Sequence, residues 1–301
     1  MDHMIFKGEN ILEFTDRFHD DMSCLSYLSD IKWSDGYTCK KCGHTKFTVR
    51  KKNLARDCNR CHHIESPTVD TLFHRVRFGI RKAFTIVFEM SATTKGLSYS
   101  QVARRYSISP TTAWTFMHKV RKAMESSQQQ PMDGDVHVDE FVFGGRENLK
   151  QGRSYDSKKK KLIVAVELTE EEKVKRVYFK QLEDYSAKSL QTIFDEHISL
   201  SANVRTDKWS GYKPISKIYN ITQELSDSGN NMKQLHTIIH QVKSWLRSTY
   251  SWVHKDHIEK YLAEYSFRVN RSIYKQTIFH KLIERMVFAK PFSYQEIIIS
   301  S

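Results

Sequence analysis

Two groups of residues have the type and spacing to do chemistry. The first is thiol. Cys39 and Cys42 lie in TCKKC and Cys58 and Cys61 in DCNRC, two C-x2-C pairs with 15 residues between them. Two such turns place four soft thiolates around one tetrahedral cation, the geometry Zn²⁺ prefers. Lys40, Lys41, Lys51, Lys52 and Arg60 lie nearby and favour the ionised thiolates. So short a segment holds little core, so bound zinc would supply its folding energy, about 10–16 kcal/mol on the scale of zinc-finger peptides. Cys24 sits on an apolar helical stripe with Leu25 and Leu28 and reads as a core thiol. His62 and His63 are alternative ligands, but four thiolates suffice.

The second group is acidic and basic. VHVDEFVFGG, residues 136–145, carries Asp139 in the middle of an apolar run with strong strand preference. A buried carboxylate is costly unless a cation compensates it. Either the strand is half-buried with Asp139 turned to solvent, or Asp139 holds a metal ion. Glu140 alternates to the opposite face and is not chosen as a main ligand. Asp207 ends the short strand in NVRTDKWSGY; it is either a surface turn aspartate or the second ligand. In QLHTIIHQVKSWL, His236, His240 and Lys243 share one helical face. His236 can ligate metal through a neutral ring nitrogen, and Lys243 can meet a phosphate oxygen as a point charge. Packing as a polar core residue is the other reading of His236, and Glu264 in YLAEY is a rival carboxylate.

The elements that must position these groups are legible as hydrophobic patterns. VHVDEFVFGG, KKKLIVAVEL and VKRVYFKQLE read as three strands, the last two joined by the charged turn TEEEK, so they can form an antiparallel meander. SAKSLQTIFDEHI is a helix buried through Leu190, Ile193, Phe194 and Ile198. The strand ending at Asp207 and the long helix containing His236 follow. This is the element order of an RNase H-like core, an α/β mixed sheet with helices. In that arrangement the first and fourth strands are neighbours, which would bring Asp139 and Asp207 to one divalent cation, Mg²⁺ or Mn²⁺. Two such ions can activate a hydroxyl and stabilise a departing phosphodiester oxygen.

Upstream, RKAFTIVFEMSA repeats apolar residues at helical spacing. Gly96 can end a helix, and Ser98 with Gln101 forms a capping box that starts another. Ser109 caps a third helix with Pro110 at its first position. Ala113, Trp114, Met117 and Val120 form its apolar stripe, while Thr111, Thr112, Thr115, His118, Lys119 and Arg121 lie mostly off it. The pair is a helix-turn-helix that contacts DNA through those six residues, or an ordinary helical hairpin with a wet basic face. SSQQQPMDGD, residues 126–135, reads as a linker. The expected domains are an N-terminal helix with a zinc ribbon (1–68), an all-α helix-turn-helix domain (69–127), the RNase H-like catalytic domain (128–250) and a C-terminal helical extension (251–301).

Composition agrees with this plan. The net charge of +13 over 301 residues suits a polyanionic partner, because counterion release favours nucleic acid. With 39% hydrophobic residues the chain can fill real cores. All five cysteines precede residue 62, an odd count that argues for metal ligation over a disulfide framework. No apolar run approaches the ~20 residues that span a bilayer. MDHMIFKGEN lacks the basic start and apolar stretch of a secretory signal, so a cytoplasmic protein is expected.

Taken in order, WSDGYTCKKCG, the second cysteine pair, SPTVDTLFHR, GLSYSQVARRYSISPTTAWTFMHKVR, VHVDEFVFGG, VRTDKWSGY, HQVKSWL and YLAEYSFRVNRS resemble the bacterial insertion-sequence transposases with an ISXO-like catalytic domain. These belong to the DDE branch of the RNase H-like superfamily. The resemblance covers nearly the whole chain. It implies DNA transposition with Mg²⁺ (or Mn²⁺) at the catalytic site and structural Zn²⁺. Asp139 matches the first catalytic aspartate in V-D-E-x-x-x-G-G, and Asp207 the second in T-D-x-W-x-G-Y. Lys243 matches the lysine after the third acidic position, which then falls on His236, where relatives often carry Glu or Asn.

The expectation is therefore a transposase in the bacterial cytoplasm, associated with the nucleoid. It would bind the terminal inverted repeats, cut double-stranded DNA at the transposon ends and join them to target DNA as a homodimer or larger assembly. A catalytically inactive DNA-binding regulator derived from such an enzyme is the alternative, and a structure-specific or RNA-directed nuclease of the same superfamily is a third.

Overall fold

A computed structural model describes residues 5–8, 10–93, 95–144, 159–225, 227 and 230–299. Along the chain come α1 (Ile11–Arg17), α2 (Asp21–Lys32), β1 (Phe47–Val49), β2 (Arg56–Cys58), β3 (Ile64–Glu65), α3 (Ile80–Ala92), α4 (Tyr99–Tyr106) and α5 (Pro110–Met124). Then follow β4 (Asp135–Phe143), β5 (Lys160–Leu168), β6 (Val174–Leu182), α6 (Ala187–His197), β7 (Asn203–Asp207), β8 (Ile221–Glu224), α7 (Lys233–Thr249) and α8 (Ile258–Val269). The C-terminal helices are α9 (Lys275–Phe288) and α10 (Tyr294–Ile299). The second glycine of VHVDEFVFGG, Gly145, lies outside the described residues.

Contacts divide the chain into two compact units, Met1–Met124 with Ile273–Ser301, and Glu125–Ser272. In the first, local capping chemistry sets the helix starts. Asp20 and Ser23 form a capping box on α2, and Ser98 and Gln101 form one on α4. Ser109 Oγ accepts from the Thr112 N–H at 3.1 Å, with Pro110 opening α5. An aromatic core fills the unit. Phe279 of α9 meets the rings of Phe6, Phe14 and Phe18 at 5.4–5.7 Å between centroids, and Phe84 at 5.8 Å. The 251–301 segment thus does not form one extension. Phe279, and His280 held by the Tyr27 hydroxyl at 2.6 Å, fix α9 in the N-terminal unit.

Strands β1, β2 and β3 form a small antiparallel sheet. Buried Glu65 forms an ion pair with Lys32 Nζ at 3.0 Å, which ties this sheet to α2. The Arg56 guanidinium lies between Trp33 and Phe47, 4.1 and 4.2 Å from their ring centroids. Trp33 and Tyr37 of WSDGYTCKKCG are therefore packing residues.

The second unit is a five-stranded mixed sheet in the order β6-β5-β4-β7-β8. Strands β4, β5 and β6 are the antiparallel meander, and β7 and β8 add parallel to β4. This order, with helices on both faces, fits an RNase H-like transposase core. Val136 and Val138 point to the core shared with α6, whereas Phe141 and Phe143 point to the core shared with α7 and α8. Strand β8 is an element that hydrophobic pattern does not mark, because ITQE has only one apolar residue.

Helix α8 also guards the sheet edge. The Asn270 side chain accepts from the Val177 N–H at 2.7 Å and donates to the Val177 carbonyl at 3.1 Å, and Glu259 accepts from the Gln181 N–H at 2.8 Å. These bonds occupy backbone groups of β6 that would otherwise template a further strand. Residues 251–269, expected as part of a separate extension, thus belong structurally with the sheet.

Candidate active site

Strand β4 delivers Asp139 and Glu140, and strand β7 delivers Asp207 at its last residue. One carboxylate oxygen from each of the three lies within 4.8 Å of the others. The β4–β7 ladder runs from Asp135–Asn203 to His137–Arg205 and ends there. Past that point the two strands are no longer paired, and the carboxylates meet at the end of the ladder. Asp139 and Asp207 are the pair picked out in the sequence. Glu140 is an addition, because strand alternation assigns its backbone position to the opposite face. Where β4 and β7 stop pairing, the longer glutamate side chain joins the group from that face.

The chain orients these acids through its own backbone. Asp139 Oδ1 accepts from the Glu140 N–H at 2.8 Å, and Asp207 Oδ1 from the Trp209 N–H at 3.0 Å. Gln223 of β8 donates to the carbonyls of Asp207 and Trp209 at 3.1 and 2.9 Å, pinning the turn. The Trp209 indole donates to the Tyr185 carbonyl at 3.1 Å. At Gly211 a Cβ would come within 2.8 Å of both Trp209 and Leu190, so a side chain there would force the indole or Leu190 of α6 to move. Tyr212 follows, fully buried. Burial first, then the neighbouring Glu140 carboxylate, then Asp139 and Asp207, raise its phenol well above the ordinary value. The D-x-W-x-G-Y spacing is thus a packing motif that positions an acid.

Helix α7 carries His236 and Lys243. The Lys243 Nζ lies 5.3 Å from the Phe141 ring centroid. Burial and Arg247 lower the Lys243 pKa, and Asp139 opposes them. His236 is half-buried on the same helix; burial, then His240 and Lys243, lower its pKa and favour the neutral ring. Among the described residues it is not part of the three-carboxylate group, so the expected third ligand is not assembled there. Its helical position puts it in line with Lys243 instead. Glu264 also stands apart. It is 0% exposed in α8, with the Tyr250 hydroxyl donating to it at 3.4 Å, so it is a core carboxylate.

In the N-terminal unit the sulfurs of Cys39, Cys42, Cys58 and Cys61 lie within 4.8 Å of one another. The Cys39–Cys61 and Cys42–Cys58 separations are both 3.6 Å. Four ligands at 2.3 Å around a tetrahedral cation stand about 3.8 Å apart, so the cluster fits such an ion. The two loops are built alike. Gly43 donates to the Cys39 carbonyl and His62 to the Cys58 carbonyl, each at 2.9 Å, and both residues have positive φ (72° and 56°). Burial opposes ionisation of Cys39, but the backbone N–H groups of Lys41 and Cys42 bring its pKa down to about 6. Cys24 is buried in α2, apart from this cluster.

Helices α4 and α5 are joined through Ser107, which is left-handed (φ 51°), and Ser109. At the start of α5, Thr111 is exposed and Thr112 and Thr115 are partly so. Lys119 is half-buried and donates to the His74 carbonyl at 3.1 Å. His118 and Arg121 are 0% and 1% exposed, which corrects their expected place on a DNA-facing surface. Helix α5 is packed by α9 and α10 as well as α3 and α4, so its buried face is wider than the apolar stripe implies.

Comparison with known proteins bears on the five-stranded unit. Residues 131–270 match the family model of the ISXO2-like transposase domain. No curated protein matches the chain significantly. Among solved structures, the chain is similar to the Mos1 strand transfer complex, with 10% identity and a TM-score of 0.25 over 66% of this chain and 77% of that one. It is likewise similar to the Mos1 mariner paired end complex with Mn, with 12% identity and a TM-score of 0.27 over 64% and 73%. At such scores the backbones do not superpose as wholes, and the fold rests on the strand order above. Among the described residues, no helix is long and apolar enough to cross a membrane. Residues 131–270 are thus similar to the ISXO2-like transposase domain, and this matched stretch contains Asp139, Glu140 and Asp207.

Proposed function

We propose that the chain is a DNA transposase that binds the terminal inverted repeats of an insertion sequence, cuts there and joins the ends to target DNA. The observation that carries this reading is the convergence of Asp139, Glu140 and Asp207 within an ISXO2-like domain, with the Lys243 cation in the field of Asp139. Three hard oxygen donors suit Mg²⁺ or Mn²⁺. Such an ion would stabilise charge on a phosphodiester and make water a better nucleophile.

Asp139 and Asp207 would hold that ion, their side chains aimed by the Glu140 and Trp209 N–H groups. Lys243 pairs with a nonbridging phosphate oxygen. Neutral His236 orients the attacking water and accepts its proton. The water oxygen bonds to phosphorus as the P–O3′ bond breaks, and the departing O3′ takes a proton from solvent, leaving a 3′-hydroxyl on the element. That hydroxyl then attacks a target phosphorus and displaces the target's own 3′ oxygen. No covalent protein–DNA intermediate forms.

In the N-terminal unit, Cys39, Cys42, Cys58 and Cys61 hold structural Zn²⁺. Helices α4 and α5 serve as a helix-turn-helix whose open end carries Thr111, Thr112 and Thr115. Phosphate contacts supply affinity and base contacts supply sequence. Cutting and joining two ends calls for a dimer or larger assembly, acting where bacterial DNA lies.

The test is cleavage of a duplex carrying the element's own ends. Purified protein should nick it with Mg²⁺ and not with EDTA, and should transfer the cut strand to target DNA. End binding with no nicking under any divalent ion would leave a DNA-binding regulator. Equal nicking of duplexes without the repeats would mean a nuclease that does not read them.

A further inference from the structure

We propose that Tyr212 is a positioning residue for the metal site, its buried hydroxyl donating to Glu140 and turning that carboxylate toward Asp139 and Asp207. The proposal rests on the reading that these carboxylates hold a divalent ion.

Glu140 raises a geometric problem. Its strand position faces the α6 core with Val136 and Val138, yet its carboxylate joins acids that approach from the other side of β4. Tyr212 stands on that side, 0% exposed and packed against Phe194 at 6.2 Å between ring centroids. Its hydroxyl is buried and has no hydrogen-bond partner among the described residues. Glu140 is the carboxylate that acts on it most strongly, ahead of Asp139 and Asp207. Ionised carboxylates only accept, so in this company the phenol is the donor.

The turn gives Tyr212 no freedom to look elsewhere. Gln223 clamps the preceding carbonyls, and Gly211 is wedged between Trp209 and Leu190. A tyrosine kept only for its ring would be replaceable by phenylalanine without consequence for metal binding. A buried hydroxyl without a partner is a cost, and one that engages Glu140 removes it while fixing which oxygen of Glu140 faces the ion.

The experiment is Mn²⁺ titration of the full-length, zinc-loaded protein by calorimetry, comparing wild type with Tyr212→Phe, Glu140→Gln, the double variant and Asp207→Asn. Tyr212→Phe should weaken Mn²⁺ binding about tenfold, the scale for loss of a group supporting a metal ligand, with the thermal midpoint unchanged. In the Glu140→Gln background the same substitution should add nothing, because Tyr212 acts through Glu140. Wild-type Mn²⁺ affinity in Tyr212→Phe, or full additivity in the double variant, would overturn the proposal while loss of binding in Asp207→Asn leaves the metal site standing. Unchanged binding in Asp207→Asn would instead remove the metal reading, and this proposal with it.

Discussion

The carboxylates of Asp139 and Asp207 lie within 4.8 Å of each other just beyond the last paired rung of β4 and β7, His137–Arg205. The two residues come from strands separated in sequence by the whole meander and α6. Parallel addition of β7 to β4 brings them together, and the ladder's end gives both side chains room to point at a common ligand. Each is oriented by a neighbouring backbone N–H. The consequences of this arrangement, and of the thiol cluster in the other unit, can be measured.

Metal removal should unfold the small β1–β3 sheet. The four-cysteine cluster joins two loops that have little core of their own, and structural zinc in such settings contributes about 10–16 kcal/mol. Cys58→Ser, or exhaustive chelation, should abolish zinc content and repeat binding together, with the sheet in the catalytic unit still folded. Atomic absorption and circular dichroism read both. A chelated protein that keeps full DNA affinity would contradict the role given to the cluster.

Arg121 and Thr111 should behave oppositely although both lie on α5. Arg121 is 1% exposed, and removing a buried charge that other groups compensate costs about 3–5 kcal/mol. Arg121→Ala should therefore lower the thermal midpoint strongly. Thr111→Ala should leave the midpoint in place and weaken binding to the repeats. Thermal melts beside electrophoretic mobility shifts separate the two effects.

His236 and Glu264 are rival third ligands by sequence, and structure separates their consequences. His236→Ala should lower cleavage about 100-fold, the lower end of general acid–base effects, with little loss of stability. Glu264→Ala removes a core carboxylate that accepts from Tyr250, costing about 1–3 kcal/mol, with cleavage per folded molecule kept. Cleavage that falls further in Glu264→Ala would reverse the assignment.

The five-stranded unit should lose stability in mild acid through His197. Its ring is 6% exposed and stacks on Tyr178 at 4.2 Å between centroids. Burial lowers its pKa to about 4, against the pull of Glu196. The folded value lies below the unfolded one, so the unfolded chain binds the proton first as pH falls. The stabilisation is complete above about pH 6.5 and is lost toward pH 4, on the order of 3 kcal/mol in all. Urea unfolding at pH 7 and pH 4.5 should show a steeper loss in wild type than in His197→Phe, which keeps the stack and cannot titrate.

Much of this is readable in the chain because local chemistry dictates it. Ser98, Gln101, Ser109 and Pro110 start helices where capping rules put them, and the two C-x2-C turns close on each other. The Asp139–Asp207 meeting needs only the strand order. Other features depend on tertiary contacts. Strict alternation sets Glu140 aside; its backbone does keep to the opposite face, and its longer side chain brings the carboxylate into the group where β4 and β7 stop pairing. His118 and Arg121 are polar residues on a helix whose covering by α9 and α10 no local pattern announces. The ITQE strand carries no apolar alternation, and the return of α9 to the N-terminal unit follows from where Phe279 packs.

The most direct test of the central claim locates the bound ion. With Fe²⁺ in place of Mg²⁺, ascorbate and peroxide cut a polypeptide next to the site the iron occupies. Zinc-loaded wild-type protein should be cut near residues 139 and 207 in the same digest, and Asp207→Asn should be cut at neither. Cuts confined to one of the two segments, or cuts that persist in Asp207→Asn, would show that these carboxylates do not share a cation.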